Sequence, residues 1–243
     1  MENFNEINGP ITPNKETGSI ISHALELFKN TFLYCFLAVI IYFILSYLVQ
    51  LITGFDSTAL LNQVKEQVEA GATVDYDELM NMPNVKTYTG TSILVSFLLA
   101  PIFVGLIYVA NKSNFRQQIS VGDIFFAYKQ NFINVLLYTV ISYVIMIVTL
   151  AMCFLPALFI MPLLFLGYPI ILFENAGAIQ ALKKSFAIVK ENYLTIVITA
   201  VLSAIISCLG VFLCCYGIYL TMPFLYIAIY STYCAYCGTP RQL

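Results

Sequence analysis

The sequence predicts an all-α fold, a polytopic membrane helical bundle, and three observations lead to it. Of the 243 residues, 60% are hydrophobic and only 10% are charged, whereas about 25% of the residues of a soluble domain are charged. Six long apolar stretches contain no Asp, Glu, Lys, Arg or His, and one residue pattern recurs along the chain at a fixed spacing. An apolar excess of this size does not fit inside a soluble core, so we expect it to face lipid.

Each of the six apolar stretches has about the 20 residues that a membrane-spanning helix needs. We predict spans at 32–54, 92–110, 132–154, 156–173, 193–213 and 216–237. The third and fourth stretches follow one another without a polar break, as do the fifth and sixth, which predicts two tight helical hairpins. Pro156 and the region 209–217 are the predicted turns. The alternative is a proline that kinks one long helix without ending it.

The basic residues are unequally distributed among the segments that connect the predicted spans. With six spans, all but two of the 11 Lys and Arg residues lie on the same side as both chain ends. The exceptions, Lys65 and Lys86, lie in an acidic insertion at 55–90. Cytoplasmic loops are enriched in Lys and Arg, so we predict a bacterial inner-membrane protein with cytoplasmic ends. The predicted divisions are a flexible arm at 1–17, a single membrane domain at 18–238 and a tail at 239–243.

A spacing of 61 residues recurs along the chain. It relates Pro101 to Pro162 and Pro223, Lys129 to Lys190, and Asn131 to Asn192. We therefore predict three repeats, each a short amphipathic helix followed by a helical hairpin, with the acidic segment 55–90 inserted in the first. The repeated prolines and asparagines are predicted to be structural positions. The alternative for the prolines is a polar cavity lined by the backbone carbonyls that they free.

The short amphipathic helices precede the first, third and fifth spans. In the last of them the predicted apolar stripe is Ile179, Leu182, Phe186 and Val189. Such helices lie in the headgroup plane or pack on the ends of the bundle, and the sequence leaves both placements open. A lysine near an anionic leaflet is worth about 1 kcal/mol, although these lysines could equally serve only to set topology. The candidate lipid headgroup contacts are Lys29, Lys129, Lys183, Lys184 and Lys190.

One short string suggests a family. The residues from Glu174 to Ser185, ENAGAIQALKKS, follow an apolar stretch that contains proline. This string resembles a signature of a widespread, largely uncharacterised group of six-helix bacterial membrane proteins. The chain is also similar to the membrane domain that is fused to some glycerophosphodiester phosphodiesterases. The resemblance covers most of 18–238 and implies the fold; we expect no phosphodiesterase activity, because the catalytic domain is not present in the sequence.

Residues suited to catalysis or metal binding are few. His23 is the only histidine, whereas zinc and iron sites usually draw on several imidazoles, so we expect it to be an ordinary residue on a polar helix face. Asp123 and Glu174 are expected to cap helices or to pair with Lys183, Lys184 or Lys129. The sequence therefore predicts no catalytic site, no cofactor and no metal.

The seven cysteines have a similarly plain interpretation. Cys234 and Cys237 form a CxxC pair without the βαβ context of a redox motif. The others of interest are expected toward the external side, as small apolar residues or as disulfide partners. They are Cys153, Cys208, Cys214 and Cys215.

Two functions fit these observations. The first is a non-enzymatic membrane protein with a structural, lipid-interacting or envelope-maintenance role, whose partners are membrane lipids and not nucleic acid. The alternative is a transporter or channel for a small or lipid-like solute, with a proline-kinked central cavity. A polar vestibule at the level of the three prolines would favour transport, and a filling of Leu, Ile and Phe side chains would favour the first function.

Overall fold

The computed structural model describes residues 9–69, 71, 76–152, 154–212 and 217–240, and every regular element within these ranges is helical. The α-helices are α1 (Thr17–Thr53), α2 (Ser57–Glu69), α3 (Tyr76–Asn81), α4 (Pro83–Asn114), α5 (Phe126–Lys129), α6 (Phe132–Ala151), α7 (Phe154–Ile160), α8 (Gly167–Glu174), α9 (Ala178–Glu191), α10 (Tyr193–Cys208), α11 (Gly217–Thr221) and α12 (Phe224–Cys237). Short 3-10 helices lie at Val121–Phe125, Met161–Leu164 and Leu209–Phe212.

Five helical stretches in the described residues are long and apolar enough to cross a membrane. They are Thr17–Thr53, Pro83–Asn114, Phe132–Ala151, Tyr193–Val211 and Gly217–Cys237. Large apolar side chains on these helices remain exposed, among them Leu33 at 71%, Ile133 at 68% and Leu194 at 72%. Soluble proteins rarely expose this much contiguous apolar surface to water, so the helices have the character of a multi-pass membrane protein.

The predicted fourth span, 156–173, is not one continuous helix. It comprises most of α7, the 3-10 helix at Met161–Leu164 and most of α8, and its longest apolar helical stretch is Met161–Glu174. Pro162 lies near the start of the 3-10 helix, where its missing N–H interrupts α-helical bonding. The predicted turn at Pro156 is wrong, because α6 already ends at Ala151 and Pro156 lies in the first turn of α7, a position that tolerates proline.

The first two long helices extend beyond their predicted spans. The predicted amphipathic helix before span one is continuous with it, since α1 runs without a break for 37 residues. Helix α4 begins at Pro83, a residue suited to a helix start, and so includes part of the predicted insertion. The insertion also contains α2, an amphipathic helix with no buried residue.

The chain divides into two compact units, Met1–Val39 with Ala100–Leu243, and Ile40–Leu99. In the smaller unit the Phe55 and Tyr88 rings stack at 4.1 Å. The core of the larger unit is built from α4, α8 and α12, with Leu106, Ile170 and Ile227 fully buried. All residues of the candidate site described below belong to the larger unit.

Candidate functional site

Helix α9 carries three of the five candidate lysines. Its buried face consists of Ala178, Ala181, Ser185 and Val189. Small side chains let neighbouring helices approach closely, and α9 packs on α8, on the 3-10 helix at Met161–Leu164 and on α6. The predicted apolar stripe is therefore not the packing face as a whole: Val189 is buried, but Ile179 and Phe186 are 61% and 48% exposed. The exposed surface of α9 combines lysines with large apolar side chains.

The start of α9 is fixed to the start of α6. The Asn134 Oδ1 atom accepts a hydrogen bond from the Ala178 backbone N–H at 3.1 Å, which satisfies one of the unpaired donors at the helix start. The Asn131 Nδ2 atom donates to the Ala176 carbonyl at 3.0 Å. Asn131 has a φ of 57°, a left-handed conformation that asparagine tolerates better than most residues.

The two adjacent lysines of α9 have different surroundings. Lys184 forms an ion pair with Glu174 at the end of α8, and the other carboxyl oxygen of Glu174 accepts a hydrogen bond from the Tyr233 hydroxyl at 3.0 Å. The prediction that Glu174 pairs with a lysine is thus confirmed. Lys183 is exposed and has no ion pair with any described residue. Lys183 therefore differs from Lys184 in having no anionic partner among the described residues.

Lys183 lies on an apolar groove between α6 and α9. The groove has a volume of about 410 Å³, within the ~300–1,000 Å³ of small-ligand sites. Its walls come from α6, α7, the 3-10 helix and α9. The lining residues are Ile145, Ile160, Leu163, Leu164, Leu182, Lys183 and Phe186. Apart from Lys183, every described side chain that lines the groove is hydrocarbon. The groove is therefore apolar and carries one basic side chain.

The remaining candidate lysines are separate from this groove. Lys29 lies on α1, Lys129 at the end of α5 and Lys190 in the last turn of α9. All three are exposed. Asn192 follows α9, and its Nδ2 atom donates to the Ile188 carbonyl at 3.2 Å. The five lysines are thus distributed over α1, α5 and α9.

Side chains from α6 and α9 form hydrogen bonds with backbone groups at the interruption of the α-helix after Pro162. The Ser185 hydroxyl donates to the Leu163 carbonyl at 2.6 Å and accepts from the Leu166 N–H at 3.2 Å. The fully buried Tyr138 donates to the Leu164 carbonyl at 2.6 Å. Irregular backbone at membrane depth is tolerated where protein groups satisfy it in this way.

The three repeated prolines are all buried. Pro101 lies inside the continuous helix α4, Pro162 lies in the 3-10 helix at Met161–Leu164, and Pro223 directly precedes α12. A second apolar groove, of about 330 Å³, lies between Met161, Pro162 and helix α10. Both grooves are thus lined mainly by apolar side chains, with Lys183 in the first and Met161 and Cys208 in the second.

A buried polar network, which sequence reasoning missed, joins α1, α4 and α12. His23 is only 6% exposed, so its predicted place on a polar face is wrong. Its Nδ1 atom lies 2.8 Å from the Ser231 hydroxyl and its Nε2 atom 3.3 Å from Asn114 Oδ1. Tyr230 accepts a hydrogen bond from Asn114 and donates one to Asn111. The sequence feature that could have indicated this network is the pair Asn111 and Asn114, which directly follows the predicted span 92–110.

The same network holds the chain just before α1. The side chain of Asn114 accepts a hydrogen bond from the Ile11 N–H and donates one to the Ile11 carbonyl, both at 3.0 Å. A polar recess of about 250 Å³ lies between the segment 11–14 and α1, and His23 and Glu26 line it. This arrangement anchors residue 11 to the end of α4.

Asp123 pairs with Lys112 and not with the predicted lysines. The two charged groups are 2.8 Å apart, and the Asp123 carboxylate also accepts a hydrogen bond from the Ser120 N–H at 2.6 Å. Partial burial of the carboxyl raises its pKa, but the hydrogen bonds from Lys112 and Ser120 outweigh burial, so the pKa of Asp123 is lowered from 3.8. Asp123 thus joins the turn before α5 to the end of α4.

The cysteines form no disulfide in the part of the chain that the structure describes: Cys35, Cys208, Cys234 and Cys237 are free. Cys153, Cys214 and Cys215 lie outside the described residues. In those same described ranges no three His, Cys, Asp or Glu side chains lie close enough to hold a metal ion. No family model, curated protein or solved structure matches the chain.

Proposed function

We propose that this chain is a six-pass protein of the bacterial inner membrane, with cytoplasmic ends, that interacts with lipid in a structural or envelope-maintenance role and is not an enzyme. The observation that carries the proposal is the exposed face of α9, where Lys183 and Lys190 lie beside exposed Ile179 and Phe186. Basic and large apolar side chains on one surface suit the boundary between headgroups and acyl chains. The resemblance of the ENAGAIQALKKS string to six-helix membrane proteins supports the same proposal.

The sixth pass in this proposal is the interrupted segment from α7 to α8. Five stretches have the length and composition of spanning helices, and an odd number would place the chain ends on opposite sides. A broken helix can cross a membrane when protein groups satisfy its free backbone. Ser185 and Tyr138 do so at Leu163, Leu164 and Leu166, which supports counting this segment as a pass.

Three hydrogen bonds support the proposed threefold repeat. Lys29, Lys129 and Lys190 each lie just before the first span of a repeat and are called the repeat lysines. The residues that follow them by the same number of positions are Tyr34, Asn134 and Thr195. Tyr34 donates to the Ile119 carbonyl, Asn134 accepts from the Ala178 N–H, and the Thr195 carbonyl accepts from Thr17. Each span thus contacts the start of the next repeat, and the third contacts the first. A ring of three repeats has this pattern of contacts.

A second set of equivalent positions supports the ring. His23, Asp123 and Lys184 each precede a repeat lysine by the same number of residues. Each makes a polar contact with the helix that ends the preceding repeat. The pairs are His23 with Ser231 of α12, Asp123 with Lys112 of α4, and Lys184 with Glu174 of α8. One contact is a hydrogen bond and two are ion pairs, but all three are made from the equivalent position of a repeat. Diverged repeats are expected to show this pattern.

The alternative function, transport, has less support. The two grooves are lined mainly by apolar side chains, and Lys183 is the charged group among the described lining residues. The polar groups at the break, Tyr138 and Ser185, are engaged with the backbone. Solute pathways usually present ionisable or polar groups toward a cavity. The character of these grooves therefore favours contact with lipid over passage of a solute.

Lipid analysis of the purified protein tests the proposal. We expect native mass spectrometry to find phosphatidylglycerol or cardiolipin enriched over their fractions in the source membrane, with the enrichment decreasing as salt rises. The double variant Lys183→Gln, Lys190→Gln should reduce this enrichment. The control Lys65→Gln, Lys86→Gln removes two charges from the proposed external side and should not. Bound lipid with the composition of the source membrane would contradict the proposal.

A further inference from the structure

The groove between α6 and α9 has two chemically distinct parts. Ile145, Ile160, Leu163 and Leu164 form a hydrocarbon wall, and Leu182 and Phe186 form the opposite side on α9. Among the residues that the structure describes, Lys183 is the only charged one that lines it. Because the stem of lysine is itself hydrocarbon, the side chain can lie along apolar surface and keep its charge at the polar boundary.

The charges around the groove leave Lys183 without a competing partner. The nearest lysine in sequence, Lys184, is paired with Glu174, which also accepts a hydrogen bond from Tyr233. In the part of the chain that the structure describes, Lys183 itself has no ion pair. An anionic group at this position would therefore meet one uncompensated positive charge.

We propose that this groove is a binding site for one anionic diacyl phospholipid, with an acyl chain along the apolar wall and the phosphate beside Lys183. This inference rests on the proposed lipid-interacting function and specifies its site. A water-soluble anion could pair with Lys183 but has no acyl chain to contact the apolar wall. A neutral lipid could contact the wall but has no net charge to pair with Lys183. A phospholipid of net negative charge matches both parts, and the exposed apolar surface of the surrounding helices indicates that lipid covers the groove.

A single-tryptophan reporter tests the site, because the chain contains no tryptophan. The Phe186→Trp variant places the fluorophore on the groove. Phe36→Trp is the matched control, since Phe36 is 40% exposed on α1 and does not line the groove. Each variant is reconstituted in phosphatidylcholine nanodiscs that contain a small fraction of dibrominated phosphatidylglycerol or of dibrominated phosphatidylcholine. Brominated acyl chains quench tryptophan only on contact.

We expect brominated phosphatidylglycerol to quench the Phe186→Trp reporter with about fivefold preference over brominated phosphatidylcholine, the effect of one lysine beside an anionic lipid. The Phe36→Trp reporter should show no preference. Adding Lys183→Gln to Phe186→Trp should abolish the preference, whereas adding Lys184→Gln should leave it intact. Equal loss with both lysine variants, or a preference that survives Lys183→Gln, would overturn the site.

The quenching experiment and the lipid analysis of the purified protein together separate failure of the site from failure of the proposed function. If the purified parent protein retains anionic lipid but the Phe186→Trp reporter shows no preference, the groove is not the site and the broader function stands. If the parent retains no anionic lipid either, the proposed function fails together with the site.

Discussion

The hydroxyl of Ser185 on α9 donates a hydrogen bond to the carbonyl of Leu163, 2.6 Å away, at the point where the chain after Pro162 is not α-helical. The same hydroxyl accepts from the Leu166 N–H. One buried side chain thus satisfies two backbone groups that a continuous helix would have paired internally. Helix α9 therefore stabilises the interruption as well as carrying the exposed lysines.

Replacing Ser185 by alanine should destabilise the protein. The Leu163 carbonyl and the Leu166 N–H would both lose a buried partner, and one unsatisfied buried group costs about 1–3 kcal/mol. Thermal unfolding in detergent measures the effect. Ser22→Ala is the control, because Ser22 is exposed on α1. Equal melting temperatures for the two variants would show that the Ser185 bonds contribute nothing to stability.

Gly167→Ala should be poorly tolerated because of Tyr138. A Cβ atom at position 167 would overlap the ring of Tyr138, whose hydroxyl is held by the Leu164 carbonyl. Overpacking of this kind costs about 1–3 kcal/mol. The control, Gly18→Ala on α1, meets no atom within 4 Å and should be neutral or stabilising.

A double-mutant cycle assigns the Gly167 effect to its cause. In a Tyr138→Ala background the ring is absent, so Gly167→Ala should cost less than it does in the parent. The same penalty in both backgrounds would mean that the overlap with Tyr138 is not the reason for glycine at this position.

The sequence was informative about apolar segments and poorly informative about where helices break. Charge-free apolar stretches predicted the positions of the long helices, since this signal is local. The interruption after Pro162 depends on Ser185 and Tyr138, which are 22 and 26 residues from the carbonyls they bond. Pro101 is also surrounded by apolar residues in the sequence, yet it stays inside a continuous helix. The presence of a proline in the sequence therefore does not show whether a helix continues through it or is interrupted.

Burial of polar residues was equally hard to predict. His23 was expected on a polar face, yet Ser231, 208 residues away, meets it in the interior. Likewise, Lys183 and Lys184 are indistinguishable in the sequence string, and only the position of Glu174 assigns them different environments. Local patterns report the composition of a helix face, but the identity of its partner is a long-range property.

The pairing of Asp123 with Lys112 should make stability depend on acid pH. The pKa of Asp123 is lowered below 3.8 in the folded protein, so the ionised carboxylate stabilises the fold above that pH. Its contribution is lost as pH falls through the lowered pKa. The melting temperature of Asp123→Asn should be below that of the parent near neutral pH, and the difference should shrink toward about pH 3. A difference that does not change with pH would contradict this pairing.

Asn114→Ala should release the chain before α1. Both hydrogen bonds of the Ile11 backbone go to the Asn114 side chain, so the Ile11 amide should exchange faster with deuterium in the variant. Asn111→Ala is the control, because Asn111 belongs to the same network through Tyr230 but does not contact Ile11. Unchanged exchange at Ile11 in Asn114→Ala would argue against the anchor.

The number of membrane passes tests the account most directly, because five passes would place the chain ends on opposite sides and six on the same side. Single cysteines at Glu16, Lys65 and Thr239 can be labelled with an impermeant maleimide in a chain whose seven native cysteines are replaced by alanine and whose melting temperature matches the parent. We predict that Lys65→Cys reacts in intact cells, and that Glu16→Cys and Thr239→Cys react only after permeabilisation. Reaction of Thr239→Cys in intact cells, with Glu16→Cys still protected, would contradict the six-pass account.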